Sequence, residues 1–394
     1  MGDVDNDNIP EIITGGDLSS PEWYTAGRTT VYSPLPKGQL KIWNWTGTTI
    51  NIEHSEEWAT GRGAKVYSVM VGDGDGDGIL ELITSGWANI GTGGLYGQLR
   101  IWHWIRGALT LEWSEEWLTG DDTNVQSVAI GDVDGDGVPE LITGGFNLDG
   151  PEVGLMGQLR IWHWTGSELT LEHSEEWATG YHTRVNSVCV GDVDRDGALE
   201  LITCGSADAG TRLRGQLRIW NWTEGTLSLE WSEEWATKGD TYARSVAVGD
   251  VDRDGIPEII TGGRARVWTR FKGQLRIWHW TGSTLHLEQS EEWATDGDTA
   301  VWSVAVGDVD GDGGSELITG GLVGTADRGI IIGNQPPPQE TPFKSQLRIW
   351  RWTGTTLELE HSKEWFSKVV ASSEYEIKVN EHLRRVKKRI LMFT

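Results

Sequence analysis

The feature that most constrains this chain is a fifteen-residue block, GDVDGDGVPELITGG at residues 131–145, which returns with substitutions from Gly2, Gly72, Gly191, Gly249 and Gly307. The Asp that opens each copy stands at 3, 73, 132, 192, 250 and 308, at intervals of 70, 59, 60, 58 and 58 residues. Each copy is followed by a block of the form GQLRIWHW (157–164) and another of the form LTLEHSEEW (169–177). Self-similarity at a fixed period defines a repeat architecture in which each unit buries its apolar face against its neighbours. One unit reads as four short strands, at 125–131, 140–144, 158–164 and 169–177 in the third copy, and no stretch of helical period interrupts them. Four strands per unit predict an all-β fold, a six-bladed β-propeller of four-stranded blades over residues 1–366.

Tryptophan usage supports the blades, because 18 of the 24 Trp residues fall at three fixed positions per repeat, as in Trp102, Trp104 and Trp117 or Trp278, Trp280 and Trp293. A large ring at one phase of every repeat is expected to pack between adjacent blades. Cys189 and Cys204, the 2 cysteines, occupy positions filled elsewhere by Ala129, Ala247 and Ala305 or by Gly144 and Gly262, so they are expected to act as small packing residues.

The ends depart from the repeat. The strand that precedes the acidic loop elsewhere is missing ahead of Asp3. Residues 367–378 (SKVVASSEYEIK) are expected to supply it and close the first blade; the competing reading is a truncated start, with a seventh blade in the whole protein. In 379–394, Val379, Leu383, Val386 and Ile390 recur at helical spacing among Arg384, Arg385, Lys387, Lys388 and Arg389. This basic amphipathic helix is expected to dock on the acidic propeller, with a membrane surface or a partner as alternatives.

In the loop at 132–140, Asp132, Asp134 and Asp136 alternate, Gly137 allows the sharp turn, and Glu140 follows four residues after Asp136. Hard oxygen donors converging in one short segment suit calcium. The constellation recurs as Asp3, Asp5, Asp7 and Glu11; Asp73, Asp75, Asp77 and Glu81; Asp192, Asp194, Asp196 and Glu200; Asp250, Asp252, Asp254 and Glu258; and Asp308, Asp310, Asp312 and Glu316. Up to six Ca2+ are therefore expected. The first loop departs at its turn, where Asn8 replaces Gly. Position 12 is Thr143 rather than a bidentate Glu, and strands flank the loop, so it is not an EF-hand. These loops hold 24 of the 59 acidic residues and so account for nearly all of the net charge of −26. The metal's expected role is structural, clamping the first two strands of each blade.

The segment SVAIGDVDGDGVPELITGG, residues 127–145, resembles the FG-GAP or VCBS-type repeat of integrin α-subunit propellers and of many microbial surface proteins. The resemblance covers essentially residues 1–366. It implies that the loop acids carry calcium and that the protein serves adhesion or ligand recognition at a cell surface. Glu stands where the family more often has Asp, and Gly-Gly replaces its Gly-Ala-Pro ending.

Repeats differ most between their second and third strands, where recognition on a rigid scaffold usually resides. Off-repeat aromatics there, Trp23, Tyr24, Tyr32, Trp87, Tyr96, Phe146, Trp268 and Phe271, are candidate contacts to a protein or carbohydrate ligand. In the sixth repeat the corresponding segment, 322–344, is long and holds three consecutive prolines. No nucleophile motif, phosphate loop or soft-metal cluster is found. A binding or adhesion module is the expected function; a polysaccharide lyase-like carbohydrate-active enzyme and a structural repeat of a surface assembly are the alternatives. So acidic a chain is not expected to bind nucleic acid, and no apolar stretch reaches transmembrane length. Abundant extracellular calcium favours an extracellular or cell-surface location. The sequence leaves oligomeric state open.

Overall fold

The computed structural model describes residues 3–4, 9–18, 36–46, 48–91, 93–105, 107–149, 154–208, 210–223, 225–295, 297–324 and 344–366. The two C-terminal segments expected to form a closing strand and a basic helix lie outside them. Among the described residues there are strands and turns and no helix.

Blade 1 holds β1 (Ile12–Leu18), β2 (Lys37–Trp45) and β3 (Ile50–Trp58). Blade 2 holds β4 (Ala64–Gly72), β5 (Glu81–Ala88), β6 (Tyr96–Ile105) and β7 (Ala108–Trp117), and blade 3 holds β8 (Asp122–Gly131), β9 (Glu140–Leu148), β10 (Leu155–Trp164) and β11 (Leu169–Trp177). Blade 4 follows with β12 (Thr183–Gly191), β13 (Glu200–Asp208), β14 (Leu213–Thr223) and β15 (Thr226–Trp235). Blade 5 consists of β16 (Thr241–Gly249), β17 (Glu258–Val267), β18 (Arg270–Trp280) and β19 (Leu285–Trp293), and blade 6 of β20 (Asp298–Gly307), β21 (Glu316–Gly324), β22 (Lys344–Trp352) and β23 (Leu357–Phe366).

Strands pair in sequence order within each sheet, in antiparallel register wherever that register is described, and the six sheets give a six-bladed β-propeller fold. Five sheets have four strands, whereas blade 1 shows three. The fold forms two compact units, one with blades 1 to 3 and the other with blades 5 and 6 and most of blade 4, the boundary falling after Val188 in β12.

In blades 2 to 5 the second strand, as in β5 and β9, is buried almost throughout, because it lies between two partners and is small or apolar on both faces, with Leu141 and Thr143 on one and Ile142 and Gly144 on the other. Third strands supply the ring clusters. In the first unit Trp117, at the end of β7, packs on Trp162 of β10 with centroids 4.9 Å apart and planes at 53°. The Trp117 indole N–H donates to Gln158 Oε1 over 3.1 Å, while Gln158 Nε2 donates to Glu176 over 3.0 Å and to Thr119 over 3.2 Å. The Arg160 guanidinium lies 5.1 Å from the Trp117 ring and 5.6 Å from Trp162. Trp162 in turn donates to Thr143 of its own blade over 3.0 Å. The same knot joins blades 1 and 2 through Trp58, Gln98, Arg100 and Trp102. In the second unit it joins blades 4 and 5 through Trp235, Gln274, Arg276 and Trp278, and blades 5 and 6 through Trp293, Gln346, Arg348 and Trp350.

Two of the repeated tryptophans do not conform: Trp45 is 40% and Trp365 46% exposed. They belong to blades 1 and 6. At the start of the third strand, Gly97 leaves room for Trp117, since an added Cβ would lie 2.8 Å from the ring. Blade 6 has Ser345 at that place, paired in register with the exposed Trp365. Cys189 and Cys204 are free thiols, and burial pushes the Cys189 thiol up to about 12, in keeping with packing roles.

Substituting Gln158→Leu strands the buried Trp117 N–H and removes a donor from Glu176, so a loss of about 2–4 kcal/mol is expected in denaturant unfolding. An unchanged unfolding midpoint would show that the knot contributes no stability.

Candidate metal centres and recognition face

The acidic loops are built by their own backbone. In blade 3 the two carboxylate oxygens of Asp132 accept hydrogen bonds from the amides of Gly135 and Gly137 over 2.8 and 3.0 Å. Asp134 accepts from the amide of Asp136, and Asp136 from that of Val138. Each side chain thus fixes the residue two or more places ahead, as Asp does in tight turns, and the three carboxylates are turned inward. In blades 2, 3, 4 and 5 the triplets Asp73, Asp75 and Asp77; Asp132, Asp134 and Asp136; Asp192, Asp194 and Asp196; and Asp250, Asp252 and Asp254 bring one oxygen each within 4.8 Å of the others. In blade 6 the group of that size is Asp308, Asp310 and Glu316. Of the first loop, Asp3 and Glu11 are described, and Asp5, Asp7 and Asn8 lie outside the described residues.

The closing Glu does something the spacing does not reveal. Glu140 is 1% exposed, and its Oε2 accepts the amide of Val133 over 2.9 Å, tying the loop back to the second strand. Glu11, Glu81, Glu200, Glu258 and Glu316 make the same bond to Val4, Gly74, Val193, Val251 and Val309. Burial, and then the neighbouring Asp charges, push Glu81, Glu140 and Glu200 up to about 7 and Glu258 up to about 8; Glu316 is raised for the same reason. These side chains resist ionisation unless a cation lies beside them.

A metal ion fits this donor set: three carboxylates share one small volume, as hard cations require. In blade 4 the Oδ1 of Asp192 is a buried carboxylate oxygen without a hydrogen-bond partner among the described residues. A bound cation would satisfy that oxygen.

The second member of three of the loops also meets the blade that follows. The hairpin turn joining the third and fourth strands places a glycine over it: Gly166 over Asp75, Gly282 over Asp194 and Gly354 over Asp252. Each of these glycines has φ of +77°, and a Cβ on Gly282 or Gly354 would come within 2.8 Å of the carboxylate. Burial raises the pKa of Asp75 and Asp194. The recurring Thr-Gly after the third strand carries this signal in the sequence.

The variable connections lie at the opposite end of each blade from the acidic loop, because the two join successive pairs of antiparallel strands. In the first unit, Trp87 donates to the hydroxyl of Tyr67 over 3.2 Å, Tyr96 opens β6, and Phe146 lies 5.0 Å under the Arg184 guanidinium. In the second unit, Trp268 is 83% exposed at φ +59°, and Phe271 lies 4.3 Å from the Arg264 guanidinium and 6.1 Å from Tyr242. Arg244 spans Tyr242 and Trp302 at 5.4 and 4.7 Å. Trp23, Tyr24 and Tyr32 lie outside the described residues.

Sequence reasoning missed Tyr67, Arg244 and Trp302. All three fall at a register shift in the first strand, between Val66 and Ser68, Ala243 and Ser245, and Val301 and Ser303. A β-bulge turns one extra side chain out of the ladder. The signal was the variable residue ahead of each Ser-Val pair.

No protein-family model matches the chain, and no curated protein matches it. Among solved structures it is similar to the rhamnogalacturonan lyase YesW, with 18% identity and a TM-score of 0.40 over 78% of this chain. The chain spans 60% of the length of that lyase. It is also similar to a Bacillus licheniformis rhamnogalacturonan lyase, at 16% identity and TM-score 0.37 over 91% of this chain and 78% of that one. Sqt1 from Chaetomium thermophilum gives 14% identity and TM-score 0.46 over 90% of this chain and 69% of that one.

In a chelator the raised Glu residues set a pH dependence. Their folded values, about 7 to 8, exceed the usual 4.5, so the folded state holds extra protons between those limits. This contribution to stability is complete below pH 4.5 and is lost as pH rises through about 7 to 8. The metal-free melting temperature is therefore expected to fall from pH 5 to pH 8.5, and a rise over that range would contradict the role given to these residues.

Proposed function

We propose that the chain is a calcium-stabilised binding module of the FG-GAP or VCBS type, whose loops hold structural Ca2+ and whose variable face recognises a protein or carbohydrate ligand outside the cell. The observation that carries the reading is the recurrence of three crowded carboxylates above a buried, strapped Glu in successive blades. Like charges so placed repel one another, and a divalent cation turns that cost into a stabilising contact. The donors for each ion come from the three Asp of a loop, with the Glu holding the loop closed and ready to join them. Extracellular calcium is abundant enough to fill such sites.

The ligand face follows from the opposite ends of the same blades. Exposed Trp268 and Trp302, with Phe271 and Tyr242 held between arginines, offer flat apolar area flanked by donors, the chemistry with which sugars and protein loops are bound.

Two measurements test the reading. Asp134→Ala is expected to remove one bound calcium by calorimetry and, at ~100 times the dissociation constant, to cost about 2.7 kcal/mol of stability. Absence of calcium binding by the unsubstituted chain would remove the proposal. Trp268→Ala, at an exposed position, is expected to weaken capture of any ligand found on glycan and protein arrays by about 30-fold, the effect of losing one aromatic anchor. Its indifference would take Trp268 out of the binding face.

A further inference from the structure

Blade 6 breaks the repeat at two positions, and both breaks serve one contact. The first is Gly314, which stands where the other described loops have Ile79, Val138, Ala198 and Ile256. The second is Arg351, which stands in the third strand where others have His103, His163, Asn221 and His279. Arg253, in the loop of blade 5 at φ +66°, extends into the notch at Gly314, where a Cβ would overlap its guanidinium. There it pairs with Asp312 Oδ1. Arg351 takes the other oxygen, with Nη2 3.0 Å from Asp312 Oδ2 and 3.9 Å from Asp310, and its Nε donates to Glu360 over 2.9 Å.

Asp312 is thus held between two guanidinium groups and drops out of the carboxylate group that its counterparts Asp77, Asp136, Asp196 and Asp254 join. Among the described residues, no carboxylate of the loops in blades 2 to 5 is paired with a Lys or Arg. Arg195 occupies the same loop position in blade 4 and reaches toward Gly255, 3.2 Å from a Cβ placed there, without meeting an acid. A guanidinium fork matches a carboxylate in geometry and stays charged at any physiological pH.

We propose that blade 6 carries its own cation: Arg253 and Arg351 take the place at Asp312 that calcium takes in blades 2 to 5, and the sixth loop closes without metal. The proposal rests on the calcium reading of the other loops. It divides the loops into a calcium-dependent class and one that is closed at any calcium concentration. Gly314 is the seat that makes the exchange possible.

The experiment is calcium titration of the full chain by calorimetry, comparing it with Arg253→Gly/Arg351→Asn, which installs the residues found at Gly135 and Asn221. Position 253 has left-handed backbone, so Gly relieves strain there. Gly314→Val is a second route, refilling the seat with the residue of blade 3 and expelling Arg253. Each variant is expected to bind one more calcium per chain than the parent, with an affinity within about threefold of the parent's sites; circular dichroism checks folding. Equal numbers and affinities in parent and both variants would overturn the clamp and leave the calcium reading intact. No calcium bound by the parent would overturn both.

Discussion

Everything in this fold leans on the knot in which a fourth-strand tryptophan meets the Gln, Arg and Trp of the next blade. A single four-stranded sheet cannot bury both of its faces, so a blade is stable only against a neighbour. The knot makes that contact specific. Trp117 gives area, Gln158 converts its buried N–H into a chain of donors ending on Glu176, and Arg160 covers two rings at once. Hydrogen bonds of fixed geometry select one register, where bare apolar faces would slide.

With the blades fixed, the acidic loops inherit their geometry. Their carboxylates are held together by backbone amides rather than by favourable charge, and the strap of Glu to the second-position amide pulls a group under the surface that would ionise readily in water. Without a cation the crowded carboxylates repel one another. Blade 6 shows the alternative solution, with charge supplied by side chains and space by a missing one.

The blade count, the loop positions and the phase of the tryptophans were legible because repetition multiplies a weak signal. Asp132, Asp134 and Asp136 alone form an ordinary turn, but the same spacing five more times fixes the fold. What escaped belongs to contacts between blades and to local irregularity. The strap role of Glu140 depends on a bond to Val133 that spacing does not show. The bulge that turns out Tyr67 and Trp302 is a register event, invisible to a pattern of period two. Arg253 reads as an exposed loop residue within its own repeat, and its partner Asp312 lies 59 positions away. Aligning the repeats and asking where one alone departs would have pointed to Gly314 and Arg351.

The glycine turns that roof Asp75, Asp194 and Asp252 mean that none of these three acidic sites is the property of one repeat. Each is assembled from a loop and from the hairpin of its successor, so the boundary of a binding unit runs through the middle of a blade rather than between two. Duplicating or deleting one whole repeat gives the preceding loop a new roof, the hairpin of the next repeat in line. Only a change that left a loop with no blade after it would leave that loop without a roof.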